Sequence, residues 1–247
     1  MKTQKERLDK EILRRGLADT RQRAQGLILS GKVTVDGVRV DKAGAQVSEE
    51  SAIALIADDM PYVSRGGLKL KGALDAFGLD VSGLICADVG ASTGGFTDCL
   101  LQEGASRVYA LDVGYGLIDS RLRNDPRVTV IERVNVRHME PGWFDGPVDM
   151  ATVDVSFISL KLVLGPIASV LRPGGIIVAL VKPQFEVGKG KVGRGGIVRD
   201  ESERLRALTE VMEFAASTGL IVGEHMESPI TGAKGNVEYL LRLEKKR

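Results

Sequence analysis

From residue 84 onward, short runs rich in Val, Ile and Leu recur between longer amphipathic stretches, and this alternation leaves the chain very few folds. The runs are 84–89, 107–113, 128–133, 148–155, 176–181, 220–224 and 237–243, with helical stretches near 96–103, 159–171 and 201–217. Seven strands with intervening helices predict an α/β fold built on a doubly wound, Rossmann-like seven-stranded sheet. Between the last two runs lie only residues 225–236, with no helical pattern and too little chain for a crossover. The last strand is therefore predicted to be antiparallel to its neighbour.

The first run ends in Cys86-Ala87-Asp88-Val89 and passes into Gly90-Ala91-Ser92-Thr93-Gly94-Gly95-Phe96. Glycines at these positions let the backbone approach a ligand where a Cβ would clash, and an acid at the carboxyl edge of a parallel strand suits an adenosine-type cofactor. The spacing is neither the dinucleotide G-x-G-x-x-G nor a loop closed by G-K-[ST]. Asp112 ends the second strand, at an offset from Asp88 suited to gripping a ribose cis-diol. Asn135, just beyond the third strand, is placed to bond an adenine edge. Asp154 and Lys182 end the fourth and fifth strands and project into the same crevice. Glu238 stands among apolar neighbours in the last strand, where burial calls for a cation, and Lys182 and Lys69 are the candidates.

Ahead of the sheet lies a smaller unit. Leu8, Ile12 and Leu13 share one face of a short helix ended near Gly16. Asp19 or Thr20 caps a second helix, and Asp36-Gly37 marks a hairpin. Residues 1–42 carry 11 Lys/Arg against 6 Asp/Glu, although the whole chain is only +1. Such asymmetry predicts a polyanion-binding module. We expect a small α+β domain over residues 1–60, bounded by Asp58-Asp59-Met60-Pro61. A basic linker and helix over 61–83 carries Arg65, Lys69 and Lys71, and a larger domain covers 84–247. Between Lys182 and Arg199 the chain is rich in glycine and contains Lys189, Lys191 and Arg194, a composition suited to a lid over phosphates.

Cys86 and Cys99 fall in a predicted buried strand and helix, and no secretion signal is seen, which points to packing in a reducing cytoplasm. No apolar run is long enough to span a bilayer. His138 and His225 lack partners at metal-ligand spacing, so no metal is expected.

Residues 5–60 resemble the S-four-type RNA-binding fold found attached to RNA-modifying enzymes. That resemblance implies that Arg14, Arg15, Arg21, Arg23 and Lys32 face RNA phosphates. Lys69, Asp154, Lys182 and Glu238 match in order the Lys-Asp-Lys-Glu tetrad of the FtsJ-like ribose 2′-O-methyltransferases, and Asp-Val-Gly-Ala-Ser-Thr-Gly-Gly-Phe resembles their S-adenosylmethionine loop. Together with Tyr-Val-Ser-Arg-Gly-Gly-Leu-Lys-Leu, Asp-Val-Ser-Phe and Val-Lys-Pro-Gln-Phe-Glu, these motifs resemble the TlyA family, often labelled haemolysin A, whose members methylate ribosomal RNA.

The resemblance implies S-adenosylmethionine as cofactor, held by Asp88, Gly90, Ala91, Ser92, Gly94, Gly95, Phe96, Asp112 and Asn135. It implies Lys69, Asp154, Lys182 and Glu238 as the catalytic set, and RNA contacts that extend to Arg65, Lys189, Lys191 and Arg194. Ribosomal RNA or ribosomal subunits are the implied partners, with no role for a membrane. One departure is Asn135, which stands where the FtsJ-like pattern commonly has Asp. Lys182 is the group expected to hydrogen-bond the ribose hydroxyl and, if neutral, to remove its proton. Burial and Lys69 favour the neutral form, whereas Asp154 and Glu238 favour the charged one. A membrane-damaging haemolysin and a non-catalytic assembly factor are the rival readings. The first lacks a spanning segment, and the second would be expected to have a broken tetrad. Base-amino methylation would call for prolines after the fourth strand, which Asp154-Val155-Ser156-Phe157 does not have.

Overall fold

The computed structural model describes residues 5–56, 60–188, 190, 192–193 and 195–247. Strand β1 (Lys5–Arg7) leads directly into α1 (Leu8–Arg14), and α2 (Arg21–Leu29) follows. Thr20 begins α2 because its hydroxyl accepts a hydrogen bond from the Arg23 amide. β2 (Val33–Val35) and β3 (Val38–Arg39) form the hairpin, with Asp36 and Gly37 at φ 51° and 78°, the left-handed values that such a two-residue turn requires. β4 (Gln46–Ser48) pairs antiparallel with β1, and β5 (Ile53–Leu55) with β2. Leu8, Ile12, Ala24, Ile28, Val33 and Val47 close the core of this unit.

The larger unit opens with α3 (Gly66–Ala76), which buries Leu70, Ala73 and Leu74 in the same core as Phe96, Cys99 and Leu100. In chain order there follow β6 (Ile85–Val89), α4 (Gly95–Gln102), β7 (Arg107–Asp112), α5 (Ser120–Arg123) and β8 (Val128–Glu132). Then come β9 (Val148–Val153), α6 (Leu164–Val170), β10 (Leu171–Val181), α7 (Pro183–Glu186), α8 (Glu201–Ser217), β11 (Leu220–Glu227) and β12 (Tyr239–Lys245).

These strands form one seven-stranded sheet in the order β11-β12-β10-β9-β6-β7-β8. β12 inserts between β10 and β11 and runs antiparallel to both, while β6 to β10 are mutually parallel where they pair. Side-chain alternation explains why both faces are apolar. Cys86, Val108 and Ala110 point to the layer of α3 and α4, whereas Ala87, Tyr109 and Leu111 point to the opposite core with Leu164, Ile167, Leu208 and Val211.

The stretch predicted as one helix near 159–171 is instead a 3-10 turn at Leu160–Leu162 followed by α6. β10 begins at Leu171, not at 176. Its pairing with β9 shifts register between Leu171 and Ile176, so Arg172-Pro173-Gly174-Gly175 is carried as a bulge inside the strand. Neither difference touches the site, which the order β10-β9-β6 places at the middle of the sheet.

Candidate active site

β6 and β9 are neighbours whose onward connections run to opposite sides of the sheet, so a crevice opens at their carboxyl ends. Gly90, the first residue beyond β6, has φ 89°, and a Cβ there would stand 2.6 Å from the Asp154 carbonyl oxygen. Only glycine allows the two strand ends to approach this closely. At Gly95 a Cβ would lie 2.3 Å from Ser64 Oγ, so the Ser64-Arg65-Gly66-Gly67 turn rests directly on the start of α4.

Asp88 is fully buried beneath this loop. It accepts hydrogen bonds from the Thr97 amide (2.9 Å), the Thr97 hydroxyl (2.7 Å) and the Thr152 hydroxyl (3.1 Å). Burial pushes its carboxyl up to about 7 against the pull of those donors. Both of its oxygens are thus engaged in bracing the loop from below. Asp112 accepts from the Ser92 amide (2.7 Å) and the Gly114 amide (2.6 Å), tying the loop after β6 to the loop after β7. Asn135 Oδ1 accepts from the Arg137 amide at 3.1 Å and caps a short 3-10 turn. Beside Asp112, Val113 is 77% exposed, and the Arg133 guanidinium lies 4.1 Å from the centre of the Tyr115 ring.

A cavity of about 470 Å³ lies in front of the glycine loop, an ordinary size for a small-ligand site. Its walls bring together Lys69, Asp154, Lys182 and Glu238 with Arg65, Asp88, Gly90, Ala91, Ser92, Gly95 and Phe96. Gly94, Asp112 and Asn135 are not among its walls. Lys182 Nζ is 2.5 Å from Asp154 Oδ1 and donates to Ser156 Oγ at 2.9 Å. Lys69 Nζ donates to Glu238 Oε2 at 2.5 Å, so of the two cations available to Glu238 it is Lys69 that answers it. Burial pushes the Asp154 carboxyl up, but Lys182 and then Lys69 outweigh that, and it titrates below the ordinary carboxylate range. An ammonium has three donor positions. With one donated to Ser156 and its charge paired with Asp154, Lys182 keeps donor capacity for a ligand.

The Val-Lys-Pro-Gln-Phe-Glu motif folds as β10's end and α7, with Pro183 at the first helical position. Glu186 accepts from Ser159 Oγ (2.6 Å) and the Leu160 amide (2.8 Å), which fixes the loop after β9. In that loop Phe157 is 91% exposed with φ 65°, and its ring lies 5.1 Å from that of Phe185. A large apolar ring is thus held out to solvent in a strained left-handed conformation that burial does not repay. Gln184 Nε2 is 3.5 Å from Glu238 Oε1. The sequence reading did not assign Ser156, Phe157, Gln184 or Phe185, although their positions beside Asp154 and Lys182 were signals that could have found them.

The cations of the small domain meet acids of the chain itself. Arg14 (2.8 Å) and Arg15 (2.6 Å) both donate to buried Glu11, and Arg21 donates to buried Asp9 at 2.9 Å. Arg23 lies 3.6 Å from Asp119, and Arg65 3.7 Å from Asp41. Lys32 borders a small crevice shared with Val63, Thr93 and Asp119. Lys189, Lys191 and Arg194 lie outside the described residues. The small domain also reaches the main cavity, since Leu29, Asp41, Lys42 and Ala43 form part of its wall. Cys86 and Cys99 are free and buried, and burial pushes both thiols up to about 12, so they stay protonated. Among the described residues there is no cluster able to hold a metal, and no helix is long and apolar enough to cross a membrane.

Comparison with known proteins gives two family matches, an FtsJ-like methyltransferase over residues 62–245 and an S4 domain over residues 6–53. The 16S/23S rRNA (cytidine-2′-O)-methyltransferase TlyA of Mycobacterium tuberculosis is 48% identical over 238 residues, 96% of this chain and 89% of that protein. Hemolysin A of Brachyspira hyodysenteriae is 42% identical over 235 residues, 95% of this chain and 98% of its own. A solved structure from Streptococcus thermophilus, described as a candidate hemolysin, superposes with a TM-score of 0.76 at 45% identity, covering 98% of this chain and 89% of that one.

Proposed function

Because the chain belongs to the FtsJ-like methyltransferase family and carries an S4 domain ahead of the catalytic unit, we propose that it methylates a ribose 2′-hydroxyl of ribosomal RNA with S-adenosylmethionine as donor. The observation that carries this reading is the presence of two ion pairs, Lys182 with Asp154 and Lys69 with Glu238, on the wall of one cavity with the glycine loop. The name of the Mycobacterium relative supports cytidine as the modified nucleoside.

The residues present suit the cofactor. The approach of Gly90 to Asp154 leaves the space above the loop free of side chain, and Asp112, anchored by two backbone amides, has lone pairs left for a cis-diol. When bound, S-adenosylmethionine supplies an electrophilic methyl group on a positively charged sulfur.

The protein's part is alignment and the fate of one proton. Lys182 meets the ribose 2′-oxygen with its remaining donor position, and Asp154 and Ser156 prevent it from turning away. Glu238 keeps Lys69 from competing for Asp154, so each carboxylate serves one ammonium. Phe157, exposed at the mouth, offers a face on which the nucleobase can stack while its sugar enters. In the ion-paired form Lys182 is a donor, and the hydroxyl proton leaves to solvent. Since the substrate is ribosomal RNA, we expect the enzyme to act in the cytoplasm.

The test is to incubate the purified protein with methyl-labelled S-adenosylmethionine and ribosomal RNA, then digest the RNA with alkali. Label retained in alkali-resistant dinucleotides is the expected result. Label on a base, or no incorporation alongside lysis of red cells, would overturn the reading.

A further inference from the structure

The cavity wall has a charge balance that the catalytic set does not account for. Three of its cations answer acids: Lys182 faces Asp154, Lys69 faces Glu238, and Arg65 faces Asp41. Two do not. Lys42, exposed between β3 and β4 of the small domain, has no side-chain partner among the described residues. Lys234, on the turn between β11 and β12, donates to the backbone carbonyl of Gly195 and has no acidic partner among the described residues. That turn is firmly built. Lys234 takes φ 59° and ψ 19°, the Gly232 amide donates to the Asn236 carbonyl (2.8 Å), and the Gly235 amide donates to the Gly232 carbonyl (3.1 Å).

On the reading that the substrate is an RNA ribose, we propose that Lys42 and Lys234 take the two backbone phosphates that flank the target nucleotide. A nucleotide within a strand carries one phosphate on each side of its ribose. Among the described residues the cavity offers one unneutralised cation from each domain, on a wall that already holds the tetrad. An exposed ammonium exchanges a neutral carbonyl, or water, for a phosphate oxygen with a gain in hydrogen-bond strength. Since Lys42 belongs to the S4 domain, the nucleotide site is incomplete without that domain. The small domain is then a wall of the active site as well as an anchor on RNA elsewhere.

The test compares the full-length wild type with Lys42→Ala, Lys234→Ala, the double variant, the two Lys→Arg variants and a control, Lys246→Ala, which is not on the cavity wall. Methylation of ribosomal RNA is followed at several KCl concentrations, with S-adenosylmethionine affinity measured by calorimetry. Each alanine variant should raise KM for RNA several-fold with cofactor affinity unchanged. Each should also flatten the plot of log(kcat/KM) against log[KCl] by about 0.7, and the double variant by about 1.4, one increment per lost single-strand phosphate contact. The arginine variants should keep the wild-type slope, and Lys246→Ala should not change it. Unchanged KM and slope in both alanine variants would overturn the proposal alone. A wild type that leaves ribosomal RNA unmethylated would overturn the underlying reading and this proposal with it.

Discussion

Replacing Glu238 by Gln keeps its shape and removes its charge, and so isolates what the pair with Lys69 contributes. Both residues are nearly buried, at 2% and 9% exposure, with Nζ and Oε2 2.5 Å apart. At that distance two unit charges attract by about 7 kcal/mol with an effective dielectric of about 20, and by about 2 kcal/mol under full water screening. Desolvation offsets much of the larger figure, and removing one partner of a buried pair typically costs about 3–5 kcal/mol because the other charge is left uncompensated. The pair borders a cavity open to solvent, so the lower end applies, about 3 kcal/mol. Lys69→Met should cost a similar amount. The double variant Lys69→Met/Glu238→Gln leaves no orphan charge and should lose about 2 kcal/mol less than the two single losses added together. Urea unfolding followed by the fluorescence of Trp143, the single tryptophan, reads these values, since Trp143 packs on the core of the catalytic unit. Activity behaves differently. In Glu238→Gln, Lys69 is free to turn to Asp154, whose charge it already stabilises, and Lys182 loses its fixed position. Methyl transfer should therefore fail in Glu238→Gln, where Lys69 remains to compete for Asp154. Single losses that add to the double loss within about 0.5 kcal/mol would refute the claim that the pair is energetically coupled.

Lys182→Ala should lower single-turnover methyl transfer by about 10²–10⁴-fold while calorimetry finds cofactor affinity nearly unchanged. Asp88 gives a pH signature. Its folded value of about 7 lies above the ordinary 3.8, so its contribution to stability is full below pH 4 and is lost as pH rises through 7. Urea titrations from pH 4 to 8 should show Asp88→Asn lacking a decline of at most about 4 kcal/mol that the wild type shows. Gly90→Ala combines a left-handed backbone with a Cβ 2.6 Å from the Asp154 carbonyl, and should destabilise by at least about 2 kcal/mol and weaken cofactor binding in the same calorimetric assay. Phe157→Ala should raise KM for RNA by about 5- to 150-fold, the worth of one stacked base, with Tm unchanged because the ring is 91% exposed.

The convergence of Asp88, Asp154 and Lys182 was legible because strand ends are legible. Once Asp88, Asp154 and Lys182 are assigned to the carboxyl ends of parallel strands, their convergence follows from strand order alone. The pairing within the tetrad needed the structure, since Lys69 and Glu238 are 169 residues apart and meet only through the insertion of β12 beside β10. The support beneath the loop was equally hidden. Thr152 reaches Asp88 because β9 lies against β6 in one particular register, with Asp88 opposite Thr152. Local pattern also misled where it was strongest: Pro173-Gly174-Gly175 has the composition of a loop, yet the chain keeps it inside β10 as a bulge because pairing resumes on both sides.

The basic character of the first 42 residues has a similar explanation, and it changes what the charge means. Residues 1–42 carry a formal excess of +5, but Asp9 and Glu11 are buried hubs that gather Arg7, Arg14, Arg15, Arg21 and Gln25 around them. Hydrogen bonds from Arg14 hold the Glu11 carboxyl down at about 2, so these contacts persist at any pH at which ribosomal RNA is handled. A guanidinium bonded along one edge to a fixed carboxylate still has donors on its other edge, and its rotamer is already chosen. Arg14 remains 56% exposed and Arg21 49%. The internal acids therefore reduce the net field of the domain while presetting the side chains that face outward. On the proposed reading that these arginines contact RNA, the loss of Asp9 or Glu11 is expected to weaken RNA binding, read by filter binding or calorimetry, even though it makes the domain more positive.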